Sequence, residues 1–322
     1  MKIRVGLAVV ALMLAPALVN AQSAIEKNEI TVGLLPTAEF LPAFVAQDQG
    51  FLAEEGLKVT SPAFQSGPDV VQALIGGALD IAAGGGTDAL IAISTGRPIK
   101  TIWELNSFVT FSYVAKPEIK SWKDMKGKAV AISSPGSQTD LTLRWVVKKQ
   151  GMDPDTDLRI VAAGSPPGRL AALKSGAADA AVLTEPLGSQ TLATGYSLLT
   201  RLSDIVPKWP SEVFFTSEAF IKKNPETIKA YLRAISKASK FIATHEKESI
   251  AVLRRDMKLS EADAKSAYNS FKDTYPATGE FSIAGWDFAQ ELMLSSGALS
   301  QKVPYDKVFD MTFVNWAKTT LK

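Results

Sequence analysis

The chain has 322 residues, 46% of them hydrophobic, a formal charge of +2, one histidine and no cysteine. That composition excludes disulfides, thiolate nucleophiles and cysteine-based metal centres. The +2 comes from Lys2 and Arg4, since residues 1–21 hold no acid and no other base; the remainder is neutral and offers no basic excess to attract nucleic acid or an anionic membrane.

Residues 1–21 have the form of a secretory leader. Lys2 and Arg4 precede the apolar run Val5 to Val19, and Val19-Asn20-Ala21 presents small residues before a cleavage point between Ala21 and Gln22. The run is short for a membrane span, and no cysteine follows it for lipid attachment. The expectation is a cleaved signal peptide and a mature protein free in the periplasm.

Strand and helix then alternate. Ile30 to Leu35 reads as a buried strand ended by Pro36, and Leu41 to Gln49 as a short helix closed by Gly50. Leu57 to Phe64 is a second strand, Asp69 to Ile75 a helix, and Ile81 to Ala83 a third strand running into Gly84-Gly85-Gly86. Ala89 to Ser94 is helical and Ile99 to Leu105 strand-like. This alternation predicts a parallel sheet with helices on both faces.

The pattern recurs. Ala73 to Asp80 and Ala172 to Asp179 both read A-L-x-x-G-A-x-D, 99 positions apart, and the strand from Ile30 has a counterpart at Ala129 to Ile132. In each octet a helix ends, glycine supplies a left-handed turn, and a buried strand begins after the aspartate. Asp80 and Asp179 are therefore expected to tie down turns, and the whole to form two similar α/β lobes.

After Pro207 the chain becomes mostly helical. Asn224-Pro225-Glu226 opens a helix with Ile228, Tyr231, Leu232, Ile235, Ala238 and Ile242 on one face. Its Lys229, Arg233, Lys237 and Lys240 read as a solvated face, with permease docking as the functional alternative. Ser260 with Asp263 resembles a capping box, and Ser282 begins a further helix.

Several of these segments together resemble the solute-binding proteins of the alkanesulfonate, taurine, nitrate and thiamine-precursor importers. Ala46 to Val59 is similar to that family's A-x-x-x-G-[FY]-[FL]-x-x-x-G-L-x-V, Ala73 to Asp80 to its A-L-x-x-G-x-x-D, and Asp124 to Lys128 to its D-L-K-G-K, with Met125 in the leucine position. Ala172 to Asp179 leads into Thr184-Glu185-Pro186. The resemblance runs from about residue 29 to 316. It implies the type II periplasmic-binding fold, two doubly wound α/β lobes joined by a two-strand hinge near Phe108 to Tyr113 and Val213 to Thr216. Lobe 1 would comprise residues 22–110 and 214–322, and lobe 2 residues 111–213. It also implies a monomer without cofactor that delivers a solute to an ABC permease and its cytoplasmic ATPase. The ligand does not follow, because family members bind chemically different molecules.

In open α/β sheets ligands bind beyond the carboxyl ends of the strands. Helix N-termini there present free N–H groups to anions, which selects Ser137, Gln138 and Thr139, opposed by Gly86 and Thr87; the same residues also fit ordinary helix caps. Thr37, Gln65, Ser66 and Arg169 lie in the same loops. Glu39 and Glu185 would accept hydrogen bonds from amino or hydroxyl groups, and Phe40 and Phe108 would stack on a ring or pack in the core. Two ligand classes stay open: an organic anion of sulfonate or carboxylate type, aromatic or not, and an amine-bearing heterocycle such as a thiamine-precursor pyrimidine. Catalysis has weak support. A serine triad would need the one histidine, His245, in a Lys/Glu-rich helical stretch; Glu39 with Glu185 would have to imitate a glycosidase pair; and no nucleotide-binding glycine motif occurs. A sensor accessory on the same fold is a third reading.

Overall fold

The computed structural model describes residues 24–206 and 208–321, so the leader and its cleavage point lie outside the described residues. Ten strands occur in it: β1 (Glu29–Gly33), β2 (Lys58–Thr60), β3 (Ile81–Gly84), β4 (Ile99–Asn106), β5 (Ser112–Ala115), β6 (Lys128–Ile132), β7 (Leu158–Ala162), β8 (Ala180–Leu183), β9 (Ser197–Arg201) and β10 (Glu212–Ser217). They form two five-stranded sheets, ordered β2-β1-β3-β10-β4 and β7-β6-β8-β5-β9. The halves built on these sheets are termed lobe 1 and lobe 2.

Both sheets are mixed, where the alternation of strand and helix predicts parallel ones. Three parallel strands start each sheet, and an antiparallel strand follows, β10 in lobe 1 and β5 in lobe 2. Those two strands are the first laid down after the chain crosses between sheets. They arrive without a helical βαβ connection, which is what imposes parallel direction elsewhere. Helices cover both faces, so β3 (IAAG) and β8 (AAVL) are buried throughout. β2 is shorter than the run Leu57 to Phe64 suggests: Pro62 has no N–H to continue the ladder, and only an isolated bridge between Leu34 and Ala63 extends the pairing.

The repeated octets form matching turns. Gly77 (φ 77°) and Gly176 (φ 81°) are left-handed. Asp80 accepts from the Thr31 N–H at 2.8 Å and pairs with Lys27 at 2.6 Å. Asp179 accepts from the Ala129 N–H at 2.9 Å and pairs with Lys116 at 2.7 Å. Each aspartate thereby ties the start of its lobe's third parallel strand to the first.

The C-terminal helices complete lobe 1. In Pro225–Thr244 the stripe from Ile228 to Ile242 is buried in one core with Leu41, Val45, Phe214 and Phe271. Asn224 makes no side-chain cap; the Glu26 carboxylate takes the Glu226 and Thr227 N–H groups at 3.1 and 2.9 Å. The basic residues of this helix engage the chain itself. Lys229 pairs with Glu226, Arg233 with Glu55 and Lys237 with Glu54, and Lys240 donates to the Leu321 carbonyl.

Two crossovers, residues 107–111 and 202–211, join the lobes side by side. Leu202 N–H donates to the Phe111 carbonyl (2.8 Å), Trp209 N–H to Ser107 (3.1 Å) and Ser211 N–H to Asn106 (3.1 Å). The second crossover thus precedes Val213–Thr216, which are interior to β10. Behind the hinge, Trp145 of helix Gln138–Lys149 meets Phe288 of helix Ile283–Ser295 edge to face, centroids 5.3 Å apart.

Candidate ligand-binding site

Between the lobes, where loops leave the carboxyl ends of the parallel strands, lies a cavity of about 60 Å³. By water-sized spheres it has room for roughly four or five small groups. Lobe 1 lines it with Leu35, Thr37, Glu39, Phe40, Gly67, Gly85 and Asp88. Lobe 2 contributes Ser133, Ser137, Gln138, Thr139, Pro166, Arg169 and Thr184, the first crossover Phe111, and the head of β10 Glu212.

The lobe 1 wall is acidic. Glu39 sits on the 3-10 turn Ala38–Phe40, which Tyr275 fixes by donating its hydroxyl to the Ala38 carbonyl at 2.9 Å. It is 2% exposed; Oε1 accepts from the Thr110 hydroxyl at 2.9 Å, and Oε2 has no partner. Burial pushes its carboxyl up, opposed by its own N–H dipole, the nearby Thr37 and Thr110 hydroxyls and the attraction of Arg169. Asp88, in the first turn of helix Gly86–Ser94, is 6% exposed with Oδ1 unpartnered. Burial carries it up to about 7, opposed by a backbone bond from Gly85. Glu212 is raised well above the carboxylate range by burial first, then by the charges of Glu39 and Asp88. Two glycines make room: a Cβ on Gly67 would fall 1.9 Å from Asp88 Oδ2, and one on Gly85 1.9 Å from Gln138 Nε2.

The lobe 2 wall is rich in donors and holds no acid. Ser133, Ser137 and Thr139 hydroxyls form a closed triangle of 2.8, 2.9 and 3.0 Å contacts at the N-terminus of helix Gln138–Lys149. Ser137 also caps the Asp140 N–H. Arg169 is 3% exposed; its Nε donates to Val182 O at 2.5 Å and Nη1 to Gly164 O at 2.6 Å. Burial lowers its guanidinium to about 10, with Glu39 opposing. Gln138 reaches the second crossover, its Nε2 donating to Ser211 O at 2.6 Å while Oε1 accepts from Trp209 Nε1. It stitches the lobes together rather than presenting a free amide.

Of the residues expected from sequence, Thr37, Glu39, Phe40, Ser137, Gln138, Thr139 and Arg169 line the cavity, whereas Gln65, Ser66, Gly86, Thr87, Phe108 and Glu185 do not. Gln65 is exposed and Ser66 donates to Asp69 at 2.7 Å. Gly86 receives the second crossover: its N–H donates to Pro210 O at 3.0 Å, and a Cβ there would lie 2.6 Å from Pro210. Thr87 is fully buried and Phe108 is 39% exposed. Near neighbours take their places: Gly67, Gly85, Asp88, Phe111 and Thr184 line the cavity. Sequence selects the loop, but near neighbours on a helical or extended backbone face different sides. Glu185 accordingly does not line the cavity with Glu39. His245 is exposed and stacked on Phe241 at 3.8 Å. Leu35, Pro166 and Glu212 were missed; the available signal for Glu212 was a lone acid heading the apolar run Val213-Phe214-Phe215 beside the expected hinge.

Residues 23–254 match the NMT1-like family. The taurine-binding periplasmic protein of Escherichia coli is 30% identical over 250 residues, spanning 73% of this chain and 74% of that protein. The periplasmic nitrate-binding protein of Synechocystis shares the fold, with a TM-score of 0.81 at 18% identity over 93% of this chain and 90% of that one. The 4-amino-5-hydroxymethyl-2-methylpyrimidine phosphate synthase of Saccharomyces cerevisiae is 23% identical over 64% of this chain and 64% of the enzyme, so kinship by itself does not divide binding from catalysis. A sequence match across most of its length, together with two mixed-sheet lobes superposable on a periplasmic binding protein, makes this chain a member of the NMT1-like family with the periplasmic-binding fold.

Proposed function

We propose that the chain is the periplasmic solute-binding component of an ABC importer and that its cavity takes a small zwitterion. The ammonium group lies against Glu39, Asp88 and Glu212. The oxyanion, a sulfonate or carboxylate, lies against Arg169, Thr184 and the hydroxyl-lined start of helix Gln138–Lys149. The observation that carries this reading is the division of chemistry between the walls: buried carboxylates with unpartnered oxygens on lobe 1, an arginine and hydroxyls on lobe 2.

A buried acceptor without a donor costs about 1–3 kcal/mol, and more if charged. An ammonium with three N–H groups relieves that cost, whereas a plain anion faces three acids and gains only from the opposite wall. An amine-bearing heterocycle would satisfy the acids too, but about 60 Å³ favours a smaller solute. A ligand spanning both walls favours the state in which the lobes are together, because only there are both sets of contacts made. Micromolar affinity requires about 8 kcal/mol, within reach of several charge-assisted hydrogen bonds. The partners are then the permease, which receives the closed, loaded monomer, and its ATPase.

Calorimetry on the mature protein with taurine, ethanesulfonate and ethylammonium tests this. Taurine should bind at micromolar levels and each half-molecule about a hundredfold or more weakly. Ethanesulfonate binding as tightly as taurine would leave the acids without a role and overturn the zwitterion.

A further inference from the structure

The second crossover is pinned at each residue just before it reaches the cavity. Trp209 N–H donates to Ser107 O at 3.1 Å, Gly86 N–H to Pro210 O at 3.0 Å, and Ser211 N–H to Asn106 O at 3.1 Å. One side chain of lobe 2 reaches the same segment. Gln138 accepts from Trp209 Nε1 and donates its Nε2 to Ser211 O at 2.6 Å. It is the one lobe 2 residue among those described that hydrogen-bonds residues 209–211. Its orientation is set by its partners, since an indole N–H only donates and a carbonyl only accepts. Gly85 leaves the space that the amide occupies: a Cβ there would fall 1.9 Å from Nε2.

The residue after Ser211 is Glu212, of the acidic wall. The Ser211 C=O and the Glu212 N–H belong to one planar unit, so a bond to that carbonyl orients the backbone from which the Glu212 side chain springs. The strand ladder does not supply this control alone. Glu212 pairs with Asn106 but Val213 with Glu104, so Leu105 is extra opposite the head of β10. Such bulges disrupt pairing locally and re-aim side chains. Glu212 also needs restraint, because the charges of Glu39 and Asp88 repel it, and the Tyr275 hydroxyl sits close to Glu39 and Glu212.

We infer that Gln138 is a positioning residue for the ammonium end of the site. Through the Ser211 carbonyl it holds Glu212 in the cavity beside Glu39 and Asp88. A lobe 2 side chain thus fixes the lobe 1 wall without touching the solute's nitrogen. The hold on Glu212 stands on the fold alone, and its consequence for solute choice rests on the zwitterion reading.

Gln138→Met keeps the length of the side chain and removes both bonds; it is tested alone and combined with Glu212→Gln. In ligand-free protein the change frees Glu212 to turn away from the two carboxylates, so its carboxyl returns towards the ordinary range. A raised carboxyl loses stability as pH rises, so the wild-type fall in melting temperature from pH 5 to pH 8 should shrink in Gln138→Met. Adding Gln138→Met to Glu212→Gln should shrink it no further. In calorimetry Gln138→Met should weaken taurine about tenfold or more and ethanesulfonate less than about threefold. Added to Glu212→Gln, it should cost taurine less than about threefold, because the two changes remove one effect. Gln138→Asn, one carbon shorter, repeats the tests if Gln138→Met loses its cooperative melt. Melts lowered equally at both pH values overturn the positioning role. Equal weakening of both solutes, or a full additional loss on Glu212→Gln, overturns it too and makes Gln138 a direct contact. Equal wild-type affinity for the two solutes overturns the zwitterion instead, and the melts then decide the role of Gln138 by themselves.

Discussion

The lobe 2 wall of the cavity satisfies itself, and the lobe 1 wall does not. Ser133, Ser137 and Thr139 bond one another, Arg169 is held by two carbonyls, and Gln138 is spent on the hinge. Across the gap, Glu39 and Asp88 each keep a buried oxygen without a donor, and Glu212 is crowded by both their charges. One wall is preorganised by its own hydrogen bonds; the other stores an unmet demand for N–H groups. Discrimination between solutes should therefore reside on lobe 1, and lobe 2 should act as a fixed seat.

The sharpest way to break this comparison is to change one residue on each wall. Glu39→Gln keeps the size of the side chain and its bond to Thr110 but removes the charge, leaving the ligand's ammonium underpaired. Taurine affinity should fall by about a hundredfold or more, in line with roughly 3 kcal/mol or above for a truncated buried pair. Thr184→Val on the other wall should cost less than about tenfold. Calorimetry giving the reverse ranking would place discrimination on lobe 2.

A second effect follows from pH. Asp88 titrates at about 7 in the fold against about 3.9 in an unfolded chain. Its folded value is raised, so its contribution to stability is complete below about pH 4 and is lost as pH rises through 7, on the order of 4 kcal/mol in all. Glu39 and Glu212 are shifted in the same direction. The ligand-free protein should therefore melt several degrees lower at pH 8 than at pH 5, and Asp88→Asn should flatten that slope. Taurine affinity should move oppositely, strengthening as pH rises through 7 and the carboxyl ionises. Thermal melts and calorimetry at the two pH values check both signs.

The smallest effect concerns the repeated turns, where the lobes are alike. Asp80→Ala and Asp179→Ala each remove a bond to a strand N–H and a partly exposed ion pair. Each should cost about 1–2 kcal/mol in denaturant melts and leave taurine affinity unchanged. A substantial loss of affinity from either would show that the turns position the site.

Much of the fold was legible because its signals are local. Glycine after a helix, aspartate before a buried strand and the apolar runs of β3 and β8 report backbone conformation and burial one segment at a time. The 99-residue repeat of Ala73 to Asp80 at Ala172 to Asp179 exposed the duplication directly. The same reasoning reached the loops from which Glu39, Ser137 and Arg169 line the cavity, since such loops follow strand ends. It did not separate Thr184 from Glu185, because adjacent residues differ only in the side they face, nor Phe111 from Phe108 three positions earlier in the crossover, because packed neighbours set which of the two turns inward.

By itself the sequence determined two α/β lobes, their turns and the loops that meet between them, all consequences of short-range dihedral preference and hydrophobic period. Only the tertiary structure decided that β5 and β10 run antiparallel, that Gln138 is spent on Trp209 and Ser211, and that Glu212 joins Glu39 and Asp88 in one acidic wall. Those outcomes depend on how segments far apart in the chain are rotated and brought together. Charge repulsion and burial act through space, and the order of residues along the chain does not carry that distance.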